Sequence, residues 1–205
     1  TFFIVFPIFF TIIFFATLGL LNGYFEQDEW LGIATVMKSY NLPWWNIFVP
    51  GQIHFTPIGH FIYEALYKIF GLQALYFYLV ELAVHASVAT LVFILTTRLT
   101  NNKVIGALTG LLFLLNGRAH QAFTHLAIFH VTDTAMFFIL LFFVYLSGLK
   151  GKIVTIKQTI LLFFIFLAAV CTREEGFIII PIVIVYILSF GKKFINKKNV
   201  IPLSL

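Results

Sequence analysis

Apolar residues run along this chain in long unbroken blocks, interrupted by short polar stretches that gather the charge. A helix crossing a bilayer core needs about 20 predominantly apolar residues. Measured against that length, the blocks predict spans at Thr1–Leu21, Leu75–Leu99, a short Val104–Leu115, Val131–Leu149, Ile156–Cys171 and Phe177–Phe190. The short third span, with Ala119–Phe129, reads as the top of a tight hairpin with the fourth. The pattern therefore predicts an all-α, polytopic transmembrane helical bundle of about six spans, with the start of a seventh where Val200–Leu205 turns apolar again. The chain begins at Thr1 without a basic leader, and its first apolar run exceeds the roughly 7–15 residues of a signal-peptide core. One transmembrane domain over 1–205, truncated at both ends, is the expectation.

Between the first two spans lies a long segment, 22–73, with a different periodicity. Asp28 is placed to cap a helix over Glu29–Tyr40, in which Trp30, Ile33, Met37 and Tyr40 share one face. Asn41-Leu-Pro-Trp-Trp45 breaks that helix, and its tryptophans suit the headgroup zone. Thr56 as cap, Pro57 in the first turn and Gly71 as stop predict a second helix, Pro57–Phe70. Its apolar face is expected to be Ile58, Phe61, Ile62, Ala65, Leu66 and Ile69, opposite His60, Glu64 and Lys68. Both helices are too amphipathic to span and should lie in the interface plane.

Composition sharpens the class. Of 205 residues, 61% are apolar and only 10% charged, with a mean hydropathy of +1.02. A soluble domain carries about 25% charged residues, so the composition argues against a soluble enzyme, a disordered chain and a nucleic-acid reader. Cys171 is the single cysteine, which rules out an internal disulfide and any CxxC motif.

Basic residues mark the cytoplasmic side. With the N-terminus inside, Arg98, Lys103, Lys150, Lys152, Lys157, Lys192, Lys193, Lys197 and Lys198 all fall in inner loops. Lys38, Lys68, Arg118 and Arg173 fall outside, and no acid is cytoplasmic. Glu26, Asp28, Glu29, Glu64, Glu174 and Glu175 are outer, whereas Glu81 and Asp133 sit in the outer parts of spans. The expected location is the plasma (inner) membrane, with the active face outside.

Several polar groups on that face could carry chemistry. Glu26, Asp28 and Glu29 place three carboxylates within four residues, able to activate a hydroxyl or to hold a divalent metal ion through Asp28 and Glu26. On spacing alone, helix capping is the simpler account. Glu81 and His85, at i,i+4 in the second span, form either a pair that orders the bundle or a functional pair. His120, His125 and His130 are five apart, turn about 140° per step, and so do not share a helical face. His130 and Asp133, at i,i+3, can pair. Arg173-Glu174-Glu175 either grips a phosphate or anchors a loop.

Taken in order, these features resemble the GT-C superfamily of polytopic glycosyltransferases, protein O-mannosyltransferases among them. The likeness rests on Asp28-Glu29-Trp30 after the first span and on Phe55-Thr-Pro57-Ile58…Phe70-Gly71 leading to Glu81 and His85. It continues through Asn116-Gly-Arg118-Ala-His120…Thr124-His125 and Thr172-Arg173-Glu174-Glu-Gly176…Pro181. The chain departs from the family pattern at Thr56, Glu81, His125 and Arg173. The resemblance implies an enzyme that moves a hexose from a polyprenyl-phosphate sugar, held in the bilayer, to a hydroxyl of a protein or glycan acceptor, with no nucleic-acid partner. Asp28 would be the catalytic carboxylate with Glu29 beside it, and Arg173 or Arg118 would hold the donor phosphate. Glu26, His54, Glu81, His85, His120, His125 and Glu174 would be supporting polar groups. The competing class is a membrane transporter using Glu81, His85 and Asp133 as an ion path, or a non-catalytic lipid-binding subunit.

Overall fold

The computed structural model describes residues 1–19, 25, 30, 33, 34, 37, 56–116, 126–149 and 155–190, with 126–131 and 186–190 described as backbone. Among them the architecture is all-α, in chain order α1 (Phe2–Ala16), α2 (Pro57–Phe70), α3 (Ala74–Thr100), α4 (Lys103–Leu114), α5 (Leu126–Gly148), α6 (Ile156–Thr172), a 3₁₀ turn at Glu174–Ile178, and α7 (Ile179–Phe190). Within the predicted Glu29–Tyr40 helix, the described positions Trp30, Ile33, Ala34 and Met37 are helical.

Helix α3 is the axis. Its 27 residues reach about 40 Å at 1.5 Å per residue, and among the described residues it alone is both long and apolar enough to cross a membrane. Helices α1, α4 and α5 pack directly on it, and α6 packs on α5. Chain direction alternates. His85 meets Asp133 near the starts of α3 and α5, and Arg98 meets Ser147 near their ends, so these two run parallel. Helices α1, α4 and α6 run the other way.

Glycine sets the closest approach. A Cβ at Gly106 would stand 2.9 Å from the Phe93 carbonyl oxygen, and one at Gly110 would stand 2.8 Å from the Phe9 ring and 3.2 Å from the Ala89 oxygen. Gly106 and Gly110 thus form a small-xxx-small ridge that lets α4 lie against the backbone of α3. Leu82, Ala86, Ala89 and Leu91 of α3 pack with Phe9 and Ile13 of α1 and Leu114 of α4 in the main core.

Several expectations need correction. The first helix stops at Ala16 rather than Leu21: the Thr17 hydroxyl donates to the Ile13 carbonyl at 2.7 Å and the chain leaves the α-helix. Helix α5 begins at Leu126, inside the stretch assigned to a hairpin top, and the last helix begins at Ile179 because Glu174–Ile178 is wound as 3₁₀. The bounds Pro57–Phe70 agree with expectation, but the Thr56 side chain makes no capping hydrogen bond. Gly71 ends the helix at φ 60°, ψ −132°, a combination that residues with a side chain rarely adopt.

Helix α2 splits its expected apolar face between the protein and the outside. Gly59, Tyr63 and Leu66 face the protein, whereas Phe61 (62% exposed) and Ile69 (69%) point outward. Tyr63 packs edge-on to Phe77 of α3, with ring centroids 5.4 Å apart. Of the face expected at 30–40, Ile33 is buried, while Trp30 and Met37 are about half exposed.

Candidate functional site

The two ends of the bundle differ in charge. Arg98, Lys103 and Lys157 lie at one end, where no described acid is found. The other end carries α2, the start of α3, the starts of the Asp133 and Arg173 segments, and every described acid: Glu64, Glu81, Asp133, Glu174 and Glu175.

Within that acid-bearing end, α5 joins two polar contacts through adjacent residues. The Asp133 carboxylate lies 2.8 Å from His85 Nδ1, with the imidazole fully buried and the carboxylate nearly so. His85 Nε2 lies 3.3 Å from the Leu114 carbonyl oxygen at the end of α4. The Phe113 ring stacks on the imidazole with centroids 5.2 Å apart. Both ring nitrogens therefore face oxygen acceptors. The arrangement is satisfied when one proton is shared across the Nδ1–Oδ2 contact, as imidazolium against carboxylate or as imidazole against carboxylic acid. One residue earlier, the Thr132 hydroxyl accepts from Arg173 Nη1 at 2.6 Å. Arg173 Nε lies 2.8 Å from Glu175 Oε1, an ion-pair distance without hydrogen-bond geometry.

Arg173 owes its position to the end of α6. Thr172 is buried and bonds back to the Ala168 carbonyl at 2.7 Å. Arg173 then turns to extended backbone at φ −163°, ψ 146°, and the 3₁₀ turn follows. Gly176 seats that turn on α6, since a Cβ there would stand 2.5 Å from the Ala169 carbonyl carbon. The guanidinium side chain keeps 20% of its surface exposed, at the rim of the bundle. A cation held by two partners with donors to spare suits a phosphate or carboxylate.

The segment between α1 and α2 reaches the same end through its described residues Phe25 and Ile33. Phe25 and Ile33, which flank Glu26, Asp28 and Glu29 in sequence, are buried with Tyr63 and Leu66 of α2 and with Phe77 and Tyr78 of α3. Helix α2 also packs on α5 and α6. Its ion pair Glu64–Lys68 closes at 2.6 Å as the i,i+4 spacing predicts. Burial pushes the His60 imidazole below its ordinary 6.5.

The site residues divide accordingly. Asp28, Glu29, Glu26, His54, Arg118, His120 and His125 lie outside the described residues, as do Trp44 and Trp45. Glu174 is exposed beside Arg173. In place of the expected Glu81–His85 pairing, His85 takes Asp133 across the bundle, and the side chain of His130 lies outside the described residues. Register explains this, because the parallel α3 and α5 bring residues 48 apart face to face. Glu81 is 3% exposed, one turn from His85, with Asp133 as its electrostatic neighbour and no hydrogen bond to a described residue. Among the described residues, no three His, Cys, Asp or Glu side chains are placed to hold a metal ion. Thr132 was missed, and no local pattern marks it. No family model, curated protein or solved structure matches this chain.

Proposed function

We propose that this protein is a multi-pass membrane glycosyltransferase of the GT-C type, and that its reaction occurs at the acid-bearing end of the bundle. In this reading α1 and α3–α7 cross the bilayer in alternating directions, with the first residues cytoplasmic. Helix α2 lies in the interface, with Phe61 and Ile69 dipping into lipid. The observation that carries the proposal is the location of Arg173. It is fastened by Thr132 and Glu175 at the bundle end where Phe25 and Ile33, on either side of the Glu26–Glu29 carboxylates, are packed.

The chemistry follows from what a lipid-phosphate sugar needs. Asp28 takes the proton of the acceptor hydroxyl as its oxygen bonds to the anomeric carbon. The bond from that carbon to the phosphate oxygen breaks, and polyprenyl phosphate leaves with the electron pair. The Arg173 guanidinium opposes the charge gathering on the phosphate. Glu29 and Glu26 orient the acceptor. His85 and Asp133 are sealed from solvent, so they hold α5 in register and fix Thr132 rather than touch substrate. Their union also favours a second reading, a proton-coupled transporter, because three ionisable groups meet inside the bundle.

Asp28→Asn in the intact protein separates the readings. Asparagine caps a helix as well as aspartate, so the substitution removes only the base. General-base catalysis contributes about 10²–10⁴-fold, and loss of that order in polyprenyl-phosphate-sugar turnover is expected. Unchanged turnover would reduce Asp28 to a cap, and no turnover by the unaltered protein would favour the transporter.

A further inference from the structure

At the opposite, basic end the bundle contains a cleft of about 570 Å³ between α1, α3 and α5, within the size range of small-ligand sites. Its walls are apolar, with Leu91 and Ile94 from α3 and Phe137 and Leu141 from α5. Its rim is cationic, with Arg98 at the end of α3 and Lys103 at the start of α4. From Leu91 to Arg98 the helix rises about 10 Å, so the apolar walls lie roughly one acyl-chain segment below the charges.

Arg98 is set in place rather than waving in solvent. Its Nη1 donates to the Val144 carbonyl and, at 3.0 Å, to the Ser147 hydroxyl, and the guanidinium lies over Gly148, where a Cβ would come within 3.2 Å of Nη1. Both bonds use Nη1, which leaves Nε and Nη2 without a partner among the described residues. Lys103 is exposed and makes no ion pair with a described residue. No described acid lies at this end to neutralise either cation. An apolar slot topped by two cations matches one chemistry, a hydrocarbon chain joined to an anionic phosphodiester.

We propose that this cleft holds one anionic glycerophospholipid of the surrounding leaflet. Its phosphate lies on Arg98 and Lys103, and one acyl chain lies against Leu91, Ile94, Phe137 and Leu141. The site is separate from the Arg173 end and does not depend on the catalytic reading. Bound there, the lipid bridges α1, α3 and α5 where their contact is least complete.

The test uses the intact protein in detergent, incubated with equal amounts of phosphatidylglycerol and phosphatidylcholine, with retained lipids counted by native mass spectrometry. One phosphatidylglycerol per chain is expected in preference to phosphatidylcholine. Each cation near a membrane surface is worth about a fivefold preference for anionic lipid, so Lys103→Gln should cut the ratio by about that factor. Leu141→Trp, which fills the slot, should abolish retention while leaving the charges in place. Lys103 is exposed, so its effect cannot be ascribed to misfolding. Equal retention of the two lipids by the unaltered protein would overturn the proposal, as would a preference unmoved by both substitutions.

Discussion

The two ends of α3 treat their charged groups in opposite ways. At its start, His85 and the neighbouring Glu81 are withdrawn into the bundle, where His85 meets Asp133, and Arg173 is tied down by Thr132 and Glu175. At its finish, Arg98 is bonded only through one nitrogen to Val144 and Ser147, and Lys103 stands exposed. Ionisable groups inside a membrane protein are costly and persist where they pair or serve a function. A row of basic groups at one end, by contrast, needs only the headgroup layer to be satisfied. On the proposed reading, the acid-bearing end is the reaction site and the basic end meets the headgroup layer.

Substitution at matched positions breaks or sharpens that contrast. The largest effect is expected for Arg173→Gln. If the guanidinium opposes charge on the leaving phosphate, sugar transfer should fall about 10²–10³-fold, as for loss of one preorganised donor, with thermal unfolding nearly unchanged. Arg98→Gln should leave transfer intact. Equal losses from the two would erase the distinction between the ends.

Next comes the buried pair. Asp133→Ala removes the carboxylate that faces His85 Nδ1. Breaking a buried pair costs about 3–5 kcal/mol, and a loss of up to that order is expected here. Reversible unfolding in detergent measures it, and Asp133→Asn should recover part of the loss. A change below about 0.5 kcal/mol would mean that the pair does not hold α3 to α5.

Helix contact is the third lever. Gly106→Ala forces a Cβ to 2.9 Å from the Phe93 carbonyl oxygen, and overpacking of this kind costs about 1–3 kcal/mol. Gly19→Ala, with nothing within 4 Å of its Cβ, should be close to neutral in the same assay.

These particulars also show what could be read from one dimension. Pro57 and Gly71 punctuate α2, and both of its bounds were legible because each residue acts on its own backbone. The stop at Ala16 was not, since Leu18, Leu20 and Leu21 continue the apolar run past the last helical turn. The apolar face of α2 was legible, but which of its residues touch protein was not: Leu66 is buried while Phe61 and Ile69 point outward. The His85–Asp133 contact depends on the relative height of two helices, a quantity that no local pattern encodes. Gly106-x-x-x-Gly110 was visible in the sequence and marks the tightest interface, yet hydropathy scanning counts both glycines merely as weakly apolar. Arg173 and Glu175 were legible as a motif, but their anchoring on Thr132 was not.

The smallest effect separates α2 from the bundle proper. Burial lowers the His60 pKa from 6.5, so below that pH the unfolded chain binds more protons than the folded one. Stability should then fall as pH drops through about 6.5 and be fully present above it. His60→Gln should flatten this dependence over pH 5–7, measured by thermal unfolding, and an unchanged slope would assign it to another group.

The claim beneath all of this is that the two ends of α3 lie on opposite sides of a membrane, with the acid-bearing end outside. Two single-cysteine variants on a Cys171→Ser background test it directly. Leu72→Cys lies just before α3, where Leu72 is 51% exposed, and Lys103→Cys lies just after it. A membrane-impermeant thiol reagent added to intact cells should label residue 72 and should reach residue 103 only after permeabilisation. Labelling of both from the same side, or of residue 103 alone, would contradict the account.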